Sequence, residues 1–126
     1  MQNINYKELE DIYMPSNFDE VVDSCHLKPS RKVILKEIIK YSQFSSLHGC
    51  FFSERELAKL TKYTINGVIK ALRDLRRAGL ISSNRLLDLN GRKGITCIIN
   101  EREEKRIFMI TYVNWDKFEG EPKFKL

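Results

Sequence analysis

The stretch Thr64-Ile65-Asn66-Gly67-Val68-Ile69-Lys70-Ala71-Leu72-Arg73-Asp74-Leu75-Arg76-Arg77-Ala78-Gly79-Leu80-Ile81 constrains the fold more than any other, because both of its ends are marked. Thr64 offers a side-chain oxygen to the unpaired N–H groups of a first helical turn, and Gly79 can take the left-handed conformation that closes a last one. Between them Val68, Leu72 and Leu75 recur at spacings of four and three, which puts them on the inward face of a helix over 64–78. Asn66, Gly67, Lys70, Arg73, Arg76 and Arg77 fall on the opposite, polar and basic face. Such a face has two readings. It is either the solvated side of an ordinary amphipathic helix or a surface for phosphates and major-groove base edges, which Asn, Lys and Arg match in donors and acceptors.

The preceding element favours the second reading. Ser53-Glu54-Arg55-Glu56 has a hydroxyl at the N-cap and a carboxylate three residues on, a capping box that opens a short helix carrying Leu57, Ala58 and Leu60. That helix is expected to stop near Lys62-Tyr63. Two short helices joined by three or four residues, the second basic in its N-terminal half, make a helix-turn-helix, whose first helix crosses the phosphate backbone while the second enters the groove. The expected DNA contacts are Ser53, Arg55, Lys59, Lys62, Thr64, Asn66, Gly67, Lys70, Arg73, Arg76 and Arg77. Of these, Asn66, Lys70 and Arg73 are nearest base edges, and Arg76, Arg77, Lys59 and Lys62 nearer phosphate.

A chain of 126 residues fits one domain with one real core. No apolar run approaches the ~20 residues that cross a bilayer, and the N-terminus lacks the basic end and apolar stretch of a secretory signal, so a cytoplasmic protein with no membrane partner is expected. Cys25, Cys50 and Cys97 are odd in number and widely spaced, which suits reduced core thiols better than a disulfide framework. The net charge of +5 is unevenly spread. Residues 1–28 hold two basic and six acidic side chains, whereas residues 53–94 hold ten basic and four acidic. With residues 29–52 at +3, the span 29–94 carries +9, an electrostatic footprint for a polyanion.

In chain order, Ile4–Tyr13 reads as a weak amphipathic helix ended by Met14-Pro15-Ser16, and Asn17 with Glu20 as a capping pair for a helix holding Phe18, Val21, Val22 and Cys25. This acidic part, 1–28, either packs on the core, mediates dimerisation or is partly disordered. Leu27-Lys28-Pro29-Ser30 reads as a turn and N-cap for a helix over Arg31–Ser42, with Ile34, Leu35, Ile38, Ile39 and Tyr41 apolar. A loop with Ser45, Ser46 and Gly49 leads to a short strand at Cys50-Phe51-Phe52. After Gly79 the pattern turns to β. Strands are expected at Leu86–Leu89 and Ile95–Ile99, joined through Asn90-Gly91-Arg92-Lys93-Gly94, because Asn-Gly between apolar runs signals a hairpin. A further strand over Arg106–Val113 follows a charged turn at Asn100–Lys105. Of the two tips, Arg92 and Lys93 suit phosphate or the minor groove, whereas Glu101, Glu103 and Glu104 outnumber Arg102 and Lys105, so the first is expected to be the wing.

Four stretches carry a family resemblance that covers nearly the whole chain. Lys28–Leu35, Ser53–Ala58, Ile69–Ile81 and Val113-Asn114-Trp115-Asp116-Lys117-Phe118 resemble the winged-helix DNA-binding domains of phage and plasmid replication-initiation or replisome-organiser proteins. The middle block also resembles many winged-helix repressors. The resemblance implies an α+β fold, a single winged helix-turn-helix domain over 29–113 with an acidic helical extension at 1–28 and an aromatic, basic tail at 114–126. It also implies double-stranded DNA as partner. In the replication proteins a segment recruiting a helicase or its loader follows such a domain, and the sequence here ends at Leu126. The expected role is accordingly a small sequence-specific transcriptional regulator, acting as a homodimer on paired half-sites. A replication-initiation or partition factor contacting replication machinery, and a winged-helix protein-interaction module, are the alternatives.

No G-x-x-x-x-G-K-[ST], G-x-S-x-G or H-E-x-x-H motif and no paired zinc-binding cysteines are present, so neither an enzyme nor a cofactor is expected. Cys25-His26 and His48-x-Cys50 could supply metal ligands only if their loops met, and they lack the close paired spacing of structural zinc sites, so no metal is expected. Tyr112, Trp115, Phe118 and Phe124 suit core or interface packing better than base stacking, with few basic residues interleaved.

Overall fold

The computed structural model describes residues 2–3, 14–42, 49–100 and 103–124, and the chain is a small α+β domain. Four helices, α1 (Phe18–Asp23), α2 (Pro29–Ser42), α3 (Glu54–Thr61) and α4 (Ile65–Arg77), accompany strands β1 (Gln2–Asn3), β2 (Ile81–Arg85), β3 (Ile95–Asn100), β4 (Glu103–Ile107) and β5 (Met109–Val113). A 3-10 turn, Trp115–Lys117, follows. The readings of Ile4–Tyr13, Ser45, Ser46, His48 and the tip at Glu101-Arg102 lie outside the described residues.

The core forms where the apolar periods of α2 and α4 meet. Ile34, Leu35, Ile38 and Ile39 of α2 are buried together with Val68, Ala71, Leu72 and Leu75 of α4 and Leu57 and Ala58 of α3. Val21, Val22 and Cys25 join the same cluster from the N-terminal side and Phe118 from the C-terminal side. The described residues 14–28 of the acidic segment thus pack on the core. Burial pushes the Cys25 thiol up and that of Cys50 up to about 12, which disfavours the nucleophilic thiolate at both.

Three of the expected caps form, the Thr64 cap of α4 among them, and two do not. Ser53 accepts from the Glu56 N–H at 3.2 Å while the Glu56 carboxylate accepts from the Ser53 N–H at 3.3 Å, a complete capping box. At the end of α4, Gly79 has φ +78°, its N–H reaches Arg76 O at 3.0 Å, and the Leu80 N–H reaches Leu75 O at 3.1 Å. This is the paired 5→2 and 6→1 closure that a glycine at that position permits. Asn17, by contrast, makes no side-chain cap to α1. Its amide donates to Glu121 O at 2.9 Å and accepts from the Lys123 N–H at 2.8 Å, tying the start of α1 to the tail. Nor does Ser30 cap a helix beginning at Arg31. Pro29 is the first residue of α2, where its missing N–H costs nothing, and the Ser30 hydroxyl accepts from Arg31 instead.

The β region corrects the expected hairpin. Ile95–Asn100 pairs antiparallel with Glu103–Ile107 and not with Leu86–Leu89, which is no strand and retains a single bridge, Leu87 to Lys93. Ile81–Arg85 pairs antiparallel with Met109–Val113. The stretch 103–113, interrupted only at Phe108, therefore meets two partners in succession, and residues 86–94 form a loop inserted between them. The expected strand at Cys50-Phe51-Phe52 reduces to one bridge, with Cys50 and Thr111 exchanging N–H···O bonds of 2.7 and 2.8 Å. Gln2–Asn3 adds a short parallel strand beside β3.

Arg31 on α2 grips Asp74 on α4 through Nε at 3.0 Å and Nη2 at 2.6 Å. The hydrogen bond from Arg31 holds the Asp74 carboxyl below the ordinary carboxylate range. A carboxylate depressed by folding adds stability above its unfolded pKa and loses it as pH falls through the folded value. In acid titrations followed by circular dichroism, Asp74→Asn is therefore expected to have a flatter acid limb than wild type. Identical limbs would mean that the pair contributes nothing.

Candidate nucleic-acid interface

The helix α4 carries a polar stripe whose geometry follows from its buried face. With Val68, Ala71, Leu72 and Leu75 turned inward, Asn66, Lys70, Arg73 and Arg77 stand at i, i+4, i+7 and i+11 on the side directly opposite. All four are exposed, and none makes a hydrogen bond or ion pair with another described residue. Arg76, in the last turn beside Arg77, donates to Ser83 Oγ at 3.3 Å and so leans toward β2. Cations in a last turn also complement the helix dipole.

Three residues expected to touch DNA have structural tasks. The Thr64 hydroxyl accepts from the Gly67 N–H at 3.0 Å, which caps α4 and engages both groups. A Cβ at Gly67 would lie 3.1 Å from that hydroxyl, so a small residue suits the cap. The Ser53 hydroxyl is likewise engaged with Glu56. Arg55, Lys59 and Lys62 are exposed, and Lys62 ends α3 in the left-handed conformation, φ 63°. Three residues, 62–64, join α3 to α4.

Sequence reasoning passed over an apolar border to the stripe. Ile65 and Ile69, both 42 % exposed, share one flank of α4 at a spacing of four, and Leu60 and Tyr63 are exposed just before them. Ile69 falls out of phase with Val68, Leu72 and Leu75, whereas Ile65 precedes Val68 by three residues and reads as part of their stripe.

Beside α4 runs a groove of about 210 Å³ lined by Leu72 and Arg76, Ser53, Glu54 and Glu56 around the start of α3, and the β4–β5 junction from Lys105 to Met109. Lys105 crosses it to Glu56 at 2.6 Å, with its ammonium 5.8 Å from the Phe52 ring, and so fastens the β arm to α3. Beyond the junction stands the inserted loop. Asp88 Oδ1 accepts from the Asn90 N–H at 2.9 Å and the Arg92 N–H at 2.8 Å, and the Asp88 N–H donates to Arg92 O at 2.9 Å. Arg106 braces the loop from β4, donating to Lys93 O at 2.6 and 3.1 Å. Gly94 has φ +93°, and a Cβ there would meet Phe108 at 2.9 Å, so this corner requires glycine. Arg92 and Lys93 are exposed on the result.

The basic surface is narrower than the regional charge implied. Lys36 pairs with Asp23 at 3.0 Å and Asp19 at 3.4 Å, and its amine is raised chiefly by the hydrogen bond to Asp23. Lys32 donates to Asp23 O and Arg31 is held by Asp74. Three of the four cations of α2 are thus engaged, so apart from Lys40 and Arg85 the cations of 29–94 outside such contacts lie on α3, α4 and the loop. Among the described residues no three His, Cys, Asp or Glu side chains gather as metal ligands, and no helix is long and apolar enough to cross a membrane. Comparisons of the chain with protein-family models, with curated proteins and with solved structures found no match.

Proposed function

We propose that this domain is a winged helix-turn-helix that binds double-stranded DNA sequence-specifically, with α4 as the helix that enters the major groove. One observation carries the reading: the unpaired stripe of Asn66, Lys70, Arg73 and Arg77, backed by a packed core, at the spacing of one helix face. A helix fits the major groove, where Asn pairs with adenine and Lys or Arg with guanine, and the flanking Ile65 and Ile69 suit thymine methyl groups. The order of α2, the Cys50 bridge, α3, α4, β2 and the β arm supports the winged-helix part of the proposal. A small regulator of the phage or plasmid kind, paired as a homodimer on half-sites ~34–36 Å apart, is the role we favour.

Selection of duplexes from a random-sequence pool tests it. We expect a discrete, two-fold or directly repeated site retained at moderate salt. A base-substitution scan should then find that Asn66→Ala and Lys70→Ala relax base preference by ~1–3 kcal/mol, while Arg77→Ala weakens all sequences about equally. Failure to retain any duplex would overturn the proposal and favour a protein partner.

The loop's cations should act mainly through charge. Replacing Arg92 and Lys93 by alanine is expected to flatten the slope of log K against log salt by up to about two units, since each phosphate contact contributes ~0.9. Lys105→Ala should leave that slope alone, because its ammonium is committed to Glu56. An unchanged slope in the double variant would remove the loop from the interface.

A further inference from the structure

Leu89 is fully exposed at the turn of the inserted loop, with Leu87 more than half exposed beside it and Arg92 and Lys93 on the returning limb. A mobile loop would let such a side chain fold back. Here the backbone is held by Asp88 Oδ1 from within, through the Asn90 and Arg92 N–H groups, and by Arg106 from outside, which also lies 3.6 Å from Asp88. A second feature fixes the base of the loop. Leu86 and Phe51 pack on the buried Ile107, and the Gly94 N–H bonds to Leu86 O at 2.7 Å. The side chain is therefore presented outward on a braced support and flanked by two cations. That is the composition of a minor-groove wedge: cations follow the negative potential of the groove while an apolar side chain enters a base step and unstacks it.

We infer that the loop 86–94 is such a wedge, that Leu89 inserts between base pairs in the minor groove, and that the protein bends the DNA it binds. The inference rests on the DNA-binding reading above and adds a mechanical function to it. The loop's position supports the assignment. The junction residues Arg106 and Phe108 that hold it also line the groove beside Leu72 and Arg76 of α4, so the loop stands on the side of α4 that borders the β arm. A helix in the major groove leaves an adjacent extension facing a neighbouring minor groove. Pyrimidine–purine steps, which unstack most easily, should be favoured there although no side chain reads their edges.

The test uses the full chain with a duplex of about 30 base pairs taken from the wild-type selection, labelled at both ends for energy transfer, and a second copy with 2-aminopurine at its TA or CA step. An unselected duplex of equal length serves as the non-specific probe. Wild type is expected to shorten the end-to-end distance and to raise 2-aminopurine fluorescence. Leu89→Ala should abolish both signals while affinity falls less than about tenfold, and Leu89→Phe should restore them. Leu87→Ala should keep both signals, and because Leu89 is fully exposed its variants should melt like wild type. Tight binding without bending, or bending that survives Leu89→Ala, overturns the wedge and leaves the DNA-binding reading intact. Absence of binding to either duplex overturns both. Leu89-dependent binding to phosphatidylserine-containing vesicles without base unstacking also overturns it, in favour of a lipid surface.

Discussion

Replacing Lys70, Arg73 and Arg77 together by alanine is expected to lower affinity for the selected duplex at least about a hundredfold at moderate salt, with the fold unchanged. Hydrogen bonds to a charged partner contribute ~1.5–3 kcal/mol each, so three exceed that factor even when one is made only in part. The salt slope should flatten by up to about three units, because each released counterion contributes ~0.9. Stability should stay within ~0.5 kcal/mol of wild type, since the three side chains are exposed and make no bond to another described residue. The same number of charges removed from α2, as Arg31, Lys32 and Lys36, should do the opposite. Those cations are engaged by Asp74, the Asp23 carbonyl, and Asp19 with Asp23, so their loss should cost stability and leave the salt slope nearly unchanged. Anisotropy titrations at several salt concentrations, paired with thermal melts, separate the two outcomes. Equal losses of affinity from both triple variants would mean that net charge, and not the stripe, governs binding.

That contrast also marks where sequence reading stopped. The regional count of +9 over 29–94 treated the cations of α2 and α4 alike, because a count carries no pairing. Pairing is tertiary: Arg31 and Asp74 are 43 residues apart, and their bond exists only once α2 packs across α4. The features that could be read in advance were those written in short spacings. The Ser53–Glu56 box, the Thr64 cap and the Gly79 closure each join residues at most five apart, so residue identity and helical period determine them. Asn17 and Ser30 have capping chemistry as well, yet Asn17 bonds to a tail 104 residues away and Ser30 to Arg31. Competing partners, not propensity, decided both. The hairpin failed for a similar reason. Asn90-Gly91 does make a turn, but Asp88 closes it on itself within a few residues, and Ile95 finds Ile107 instead. The arm that results is held at Lys105 by Glu56, a contact between two segments that no local pattern connects. The exposure of Ile69 was legible, because it lies out of phase with Val68, Leu72 and Leu75, whereas Ile65 shares their spacing and is exposed only because α4 begins there without a described partner covering its first turn.

Among truncations to alanine in α4, Leu75→Ala is expected to have the largest effect on stability, about 2–5 kcal/mol. Leu75 is 0 % exposed and lies in the cluster that joins α1, α2, α3 and α4. Truncation removes its transfer energy and leaves a cavity, and a helix held at both ends cannot move inward to fill it. α4 is so held: Thr64 caps its start, Gly79 closes its end, and the Leu75 carbonyl accepts the Leu80 N–H that begins the path to β2. Val68 is equally buried but smaller, and Leu72 borders the groove, where solvent can relieve part of the loss. Against a total stability of ~5–15 kcal/mol for a domain of this kind, the change removes a large share, and the melting temperature should fall by on the order of ten degrees. Urea titrations should show a lower midpoint with an unchanged slope, the mark of lost native stability and not of an altered unfolded state. Leu75→Met, which nearly conserves volume, should cost less than about 1.5 kcal/mol. DNA affinity measured well below the melting temperature should drop only modestly, because Leu75 faces away from the stripe. A shift under about 1 kcal/mol in Leu75→Ala would mean that α4 repacks freely, and a helix that loose could not hold Asn66, Lys70, Arg73 and Arg77 in one register for a groove.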